Sequence, residues 1–175
     1  DAQVGCVSNL FIGAKAATLG ATVESLHLLS FVAGGTVLAA AAGVPCVVGK
    51  SMALSRRALA AIGGFESFRT VLAEDQAIGL AVRAAGVAVV LSPDAVGNVI
   101  IRRTIKRALE RQIRWNKIRF AFSHPLYVSE LLLNPLPLAI TALALGAPLA
   151  LPLSIALLRM GQIAILRRAM DAAAP

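Results

Sequence analysis

The chain has 175 residues, 58% of them hydrophobic, and a mean hydropathy of +0.78. It is too apolar for an ordinary soluble domain, where apolar residues make up roughly 45–50%. The formal net charge is +8, and almost all of it lies between Val99 and Phe120, where Arg102, Arg103, Lys106, Arg107, Arg111, Arg114, Lys117 and Arg119 face one acid, Glu110. Cys6 and Cys46 are far apart, with no CxxC and no paired His, which excludes a disulfide framework and a zinc site and suits a reducing compartment.

In chain order, Val4–Ile12 reads as a strand, and Gly13 leads from it to a helical stretch over Thr18–Phe31. Val37–Gly43 is Ala-rich and reads as a helix or a short connection. Cys46-Val47-Val48-Gly49 reads as a short buried strand. Ser55–Ile62 predicts a brief helix, capped by Ser55 and ended by Gly63-Gly64. Glu74–Ala85 predicts a clearer helix, with Ala77, Ile78, Leu80, Ala81 and Val82 apolar and Gly86 as the stop. Val87–Leu91 is a β-branched run ended by Ser92-Pro93-Asp94, and Val96–Ile101 predicts another strand. The basic stretch continues as a helix with Ile105, Leu109 and Ile113 on one face. Strands interleaved with helices argue for an α/β layered unit.

From Leu131 to Leu158 there is no charged residue, and a membrane span needs about 20 apolar residues. The run could cross once, but Gly146-Ala147-Pro148 can turn the chain, and a transmembrane hairpin with arms over Tyr127–Leu145 and Leu149–Leu166 is favoured over a single span. Bases before the first arm, and Arg167 and Arg168 after the second, put both ends on the cytoplasmic face. The chain starts Asp1-Ala2-Gln3-Val4 without Met or signal peptide and reads as an internal cut.

Few residues can do chemistry. Glu74-Asp75 is the only adjacent acid pair. It reads either as a capping pair in a helical first turn, or as a carboxylate base that takes a proton from an attacking hydroxyl. Arg111 and Arg114 lie i, i+3, so both can turn to one side and grip phosphate, with Trp115, the only Trp, as a flat wall. The other reading of this basic stretch is contact with lipid headgroups. Gly43 to Ser51 fails as a P-loop, because five residues separate its glycines where that loop has four. His27 has no second His at ligand spacing and reads as an ordinary core or surface histidine.

Val48-Gly49-Lys50-Ser51-Met52-Ala53-Leu54-Ser55-Arg56-Arg57, Ile62-Gly63-Gly64-Phe65, Leu72-Ala73-Glu74-Asp75 and Arg111-Gln112-Ile113-Arg114-Trp115, followed by the apolar tail, resemble one family. The likeness is to the C-terminal half of family-2 glycosyltransferases, and within them to ceramide glucosyltransferases and bacterial hopanoid-biosynthesis glycosyltransferases. The resemblance implies the C-terminal part of a GT-A (Rossmann-like) catalytic domain over 1–98, with the nucleotide-binding half upstream. It implies further a basic interfacial helix over 99–125, the transmembrane hairpin over 126–168 and a tail over 169–175.

It also implies an inverting transfer of a hexose from a nucleotide sugar, UDP-linked, to a hydroxyl of a membrane lipid such as ceramide. Asp75 matches the family's general base and Glu74 its acidic neighbour. Arg111, Arg114 and Trp115 match the motif near the donor diphosphate and acceptor. A divalent metal, Mg or Mn, is implied, with its ligands upstream of Asp1 and none in this chain, so that the chain alone would be inactive. Gln76 stands where the family has an aromatic or aliphatic residue. The expected setting is multi-pass in a bacterial inner membrane, with the catalytic part cytoplasmic and no nucleic-acid partner. Two alternatives stand beside this reading: a processive polysaccharide synthase, and a non-enzymatic membrane protein whose basic helix binds anionic lipid.

Overall fold

A β-branched, small-residue run beginning at Val4 forms the central strand of the sheet, β1 (Val4–Ala14). In the computed structural model, which describes residues 3–124, 127–128 and 135–173, β2 (Met52–Leu54) lies antiparallel to β1 and β3 (Ala88–Val99) parallel to it. The strand order is β2-β1-β3. The two strands expected on either side of Ser92-Pro93-Asp94 are one. Asn9 faces Ser92 and Leu10 faces Ala95, so Pro93 and Asp94 bulge out of a continuous ladder. A proline has no N–H to give a ladder, and a bulge is where a strand can hold one.

The expected break after Phe31 is also absent. α1 (Leu19–His27) runs through a π-helical stretch (Leu28–Ala33) into α2 (Gly34–Ala41). This 23-residue run is, among the described residues, the one helix long and apolar enough to cross a membrane by length and composition. Thr18 caps it, accepting from the N–H of Ala21. The same hydroxyl accepts from the N–H of Arg103 at 3.0 Å and donates to the Arg103 carbonyl at 2.8 Å. That joins the start of α1 to the start of α5 (Ile105–Phe122) at the shared C-terminal ends of the parallel strands β1 and β3. Crevices at such strand ends are where α/β proteins hold ligands.

Gly20 makes the approach possible. A Cβ there would lie 2.5 Å from the carbonyl carbon of Thr104 and 2.7 Å from the nitrogen of Ile105, both backbone atoms that cannot rotate aside. Gly20→Ala is expected to destabilise the protein by about 1–3 kcal/mol, read as a fall in the urea midpoint.

The helices α3 (Arg56–Ala61) and α4 (Glu74–Ala84) form as their local signals predict. Ser55 accepts from the N–H of Ala58, and the chain leaves α3 through Gly63 and Gly64 at φ +78° and +76°. Gly86, at φ +75°, follows α4. Segment 46–49 is not a strand. Its amides are bound by side chains instead, Val48 N–H by Ser8 Oγ at 3.0 Å and Val47 N–H by Gln76 Oε1 at 3.2 Å. Val47 enters a core cluster with Cys6, Ala58, Ile78 and Val82, while Val48 packs against a second with Phe11, Ala21, Leu28 and Ile100. Two adjacent valines thus anchor one loop to both cores. Burial pushes the Cys6 thiol pKa up, as suits an inert core cysteine.

Beyond α5, α6 (Pro135–Ala144) and α7 (Ala150–Ala173) pack together across a turn in which Gly146 has φ +80°. Part of the first expected arm, including Glu130, lies outside the described residues. α7 continues past Leu166, through most of the segment expected to be a tail. Leu145, Leu149, Leu157, Leu158 and Met160 are exposed.

Candidate active site

The first turn of α4 holds a carboxylate against a loop. Ala73, just before it, adopts a left-handed φ of +58° and offers no capping side chain. The cap is supplied from inside the helix, where Asp75 Oδ1 accepts from the N–H of Gln76 at 2.8 Å. Asp75 Oδ2 accepts from the N–H of Gly49, also at 2.8 Å. A carboxylate can accept about four hydrogen bonds, so these two leave lone pairs for a substrate hydroxyl. Gln76 holds the same loop, donating to the carbonyl of Pro45 at 2.8 Å while accepting from Val47. Its departure from the family residue thus has a local purpose. Glu74 is exposed, while Asp75 is half-buried.

Gly49 is close-fitting. A Cβ added there would meet Asp75 Cβ at 3.2 Å and Oδ2 at 3.3 Å. Gly49→Ala is expected to shift the carboxylate and lower turnover, with an unchanged thermal midpoint showing that the fold is intact.

The next residue leads to a cationic cluster. The Lys50 ammonium donates to Asn98 Oδ1 at 3.0 Å and lies 4.9 Å from the centre of the Phe11 ring. Behind it, Glu24 from α1 is buried, its side chain only 5% exposed, and it meets Arg103 Nε at 2.9 Å and Arg111 Nη1 at 2.7 Å. Neither contact has hydrogen-bond alignment, so both Glu24 oxygens and Arg103 Nε are held by charge alone among the described residues. Arg111 also stacks 4.8 Å from the Trp115 ring centre, and Arg119 lies 5.8 Å from the same ring.

Of the residues singled out from sequence, the fold joins Arg111 to Trp115, while Asp75 is held separately by the amides of Gly49 and Gln76. It does not bring Arg114 into the cationic cluster. Arg114 is exposed, and α5 uses its Ala108–Arg111–Trp115 side to face the protein. Ile105, Leu109, Ile113 and Phe120 form a separate stripe, each between 48% and 55% exposed.

Sequence reading gave no role to Glu24, Lys50 or Asn98, although Lys50 lies within a family motif. Glu24 carried one signal, a lone acid in an otherwise apolar helix, which must find a cation when buried. Asn98 carried none. Among the described residues no group of three or more His, Cys, Asp or Glu could hold a metal ion. Asp75 already gives one lone pair of each oxygen to a backbone amide, and Glu74 faces solvent. The residues here do not fit a divalent cation.

A half-buried carboxylate with spare lone pairs can accept a proton from a nucleophile, and fixed guanidinium groups can stabilise a departing anion. These are the two kinds of group that a group-transfer reaction uses. The chain belongs to glycosyltransferase family 21: the model described as Glycosyl transferase family 21 matches residues 1–174. No curated protein and no solved structure matches it. It is therefore a glycosyltransferase of the ceramide glucosyltransferase-like family, a different family number from the one its motifs resemble.

Proposed function

We propose that this protein transfers a hexose from a nucleotide sugar, UDP-linked, to a hydroxyl of a membrane lipid such as ceramide, with inversion at the sugar carbon. The observation that carries the reading is the Asp75 carboxylate, held by two backbone amides with lone pairs to spare. Asp75 takes the acceptor proton as the hydroxyl oxygen attacks the anomeric carbon. The bond from that carbon to the diphosphate oxygen breaks, and Arg111 takes up the charge on the leaving group while Trp115 walls the site. One displacement by one base gives inversion. Glu74 sits beside the base as an exposed neighbouring charge. The aspartates that hold the nucleotide and a divalent Mg or Mn belong, in this reading, to sequence upstream of Asp1.

A membrane setting is supported by exposed apolar surface. The stripe of α5, the outer faces of α6 and α7, and Leu19, Val23, Leu26, Val37 and Leu38 on the long first helix all face outward. Such area is unfavourable in water and favourable in lipid. We assign α5 to the membrane surface, with its apolar stripe toward the acyl chains. Arg114 and Lys117, both exposed on the same helix, then reach anionic headgroups. The apolar tail enters the membrane as a hairpin, with the catalytic part on the cytoplasmic side of a bacterial inner membrane.

Product analysis of the full-length protein with labelled nucleotide sugar and lipid tests this. One hexose on one lipid, in the inverted configuration, is the expected result. A polymer identifies a processive synthase, and no transfer to any acceptor returns the chain to a lipid-binding role.

A further inference from the structure

Nothing in the transfer chemistry uses α7. It packs on the π-helical stretch (Leu28–Ala33), and an apolar groove of about 780 Å³ opens between it and α2, within the roughly 300–1,000 Å³ of ligand sites. We propose that this groove holds one acyl chain of an anionic phospholipid whose phosphate is gripped by Arg159; this rests on the membrane reading above and not on the transfer reading.

The walls are the first reason. Val37 and Leu38 of α2 face Leu157, Leu158 and Ile165 of α7. Leu38, Leu157, Leu158 and Ile165 are each between 66% and 76% exposed. The one hydroxyl in the lining, Ser154, already donates to the Ala150 carbonyl at 2.8 Å. Gly161 stands in the same wall, and a Cβ there would meet no atom within 4 Å. A glycine inside a helix is unfavourable, and here no close approach of another element requires it. Its effect is to leave the groove open.

Charge is the second reason. Arg159 is the one charged residue of the apolar run Ala150–Ile165. Its guanidinium donates to Gln162 Oε1 at 2.6 Å, and Gln162 itself lines the groove. That partner is neutral, and among the described residues no carboxylate lies within ion-pair distance of Arg159. A charge on a membrane helix is costly unless matched, and it marks a site. A guanidinium meets phosphate through two parallel bonds. The acceptor of the proposed reaction is a neutral hydroxylated lipid and brings no anion, so charge selects a phospholipid of the surrounding bilayer.

Depth agrees. Helical side chains tilt toward the N-terminus, yet Arg159 reaches Gln162, one turn toward the C-terminal end of α7. It lies six residues before Ile165, about 9 Å along the axis. An arginine directed this way snorkels to the headgroup layer, while a chain of the same lipid lies back along the groove.

The test is thermal unfolding of the full-length protein in dodecyl maltoside micelles, with palmitoyl-oleoyl phosphatidylglycerol or phosphatidylcholine added to saturation. Phosphatidylglycerol should raise the midpoint by about 5 °C more than phosphatidylcholine, the shift for a ligand at a hundred times its Kd. Arg159→Gln should remove that difference, and Arg159→Lys, which keeps the charge, should retain part of it. Gly161→Leu should remove it by filling the groove, with an unchanged or higher midpoint in the absence of lipid, because leucine is the better helix former. Equal midpoints with the two lipids in the unaltered protein overturn the proposal, as does a difference that survives Arg159→Gln or Gly161→Leu. A dimer in detergent that Gly161→Leu dissociates puts a second copy in the groove and overturns it as well. Alkaline carbonate extraction of membranes separates the two readings. Release of the unaltered protein refutes the membrane reading and the groove with it, whereas a protein retained in membranes without lipid selectivity refutes the groove alone.

Discussion

With Asp75 as the proposed general base, Asp75→Asn is expected to lower the turnover of sugar transfer by about 10²–10⁴-fold, the usual contribution of a positioned base. The substitution keeps the shape of the side chain and removes its basicity. It has a second consequence that must be separated from the first. Both Asp75 oxygens accept from backbone N–H groups, Gly49 on one side and Gln76 on the other. An Asn can accept at one of these positions but turns an NH₂ toward the other N–H, which costs about 1–3 kcal/mol of stability. The urea midpoint should therefore fall modestly while the enzyme stays folded, and the loss of turnover should persist in conditions where all of it is native. The KM for the nucleotide sugar should change little, because in the proposed mechanism the base meets the acceptor and not the donor. Full activity in Asp75→Asn would remove Asp75 from its role.

Glu24→Gln has the largest expected effect on stability. It removes the cluster's buried anion and leaves Arg103 and Arg111 facing each other, their side chains only 30% and 23% exposed. Removing one partner of a buried ion pair typically costs about 3–5 kcal/mol, and the water still reaching both guanidinium groups puts this case at the lower end. Arg103 precedes α5 and Arg111 lies within it, so the loss should loosen α5 from α1, carrying Trp115 with it. Urea unfolding reads the size. A double-mutant cycle with Arg111→Gln reads the coupling, because the double variant should recover part of the stability lost in Glu24→Gln. An unchanged urea midpoint would mean that the triad does not hold the helix.

Several elements were legible from local signals. Ser55, Gly63 and Gly64 bound α3, and Gly86 ends α4, because capping and left-handed turns depend on a few neighbouring residues. The strand at Val4 was legible from its composition. The segment 46–49 was misread because its β-branched residues suit a strand, while its amides are bound by Ser8, Gln76 and Asp75 from elsewhere in the chain. The bulge at Pro93-Asp94 was misread as a strand end, because a proline signals a break and only the ladder with β1, which resumes at Ala95 after a register shift, shows otherwise. The helix past Phe31 continues because Leu28 and Ala33 are buried, which outweighs the modest helix propensity of Gly34 and Gly35.

By itself the sequence determined where positive charge concentrates, which acid pair opens a helix, and the order of motifs that the family match over residues 1–174 agrees with. These follow from residues close together in the chain. Only the tertiary structure decided which cations meet which anion. Glu24 meets Arg103 and Arg111, Lys50 meets Asn98, and Arg114 is left at the surface. Helical spacing put Arg111 and Arg114 within reach of one side. The choice between them was made by the burial of Glu24 on a neighbouring helix, because a desolvated charge must be matched by whatever the fold brings beside it.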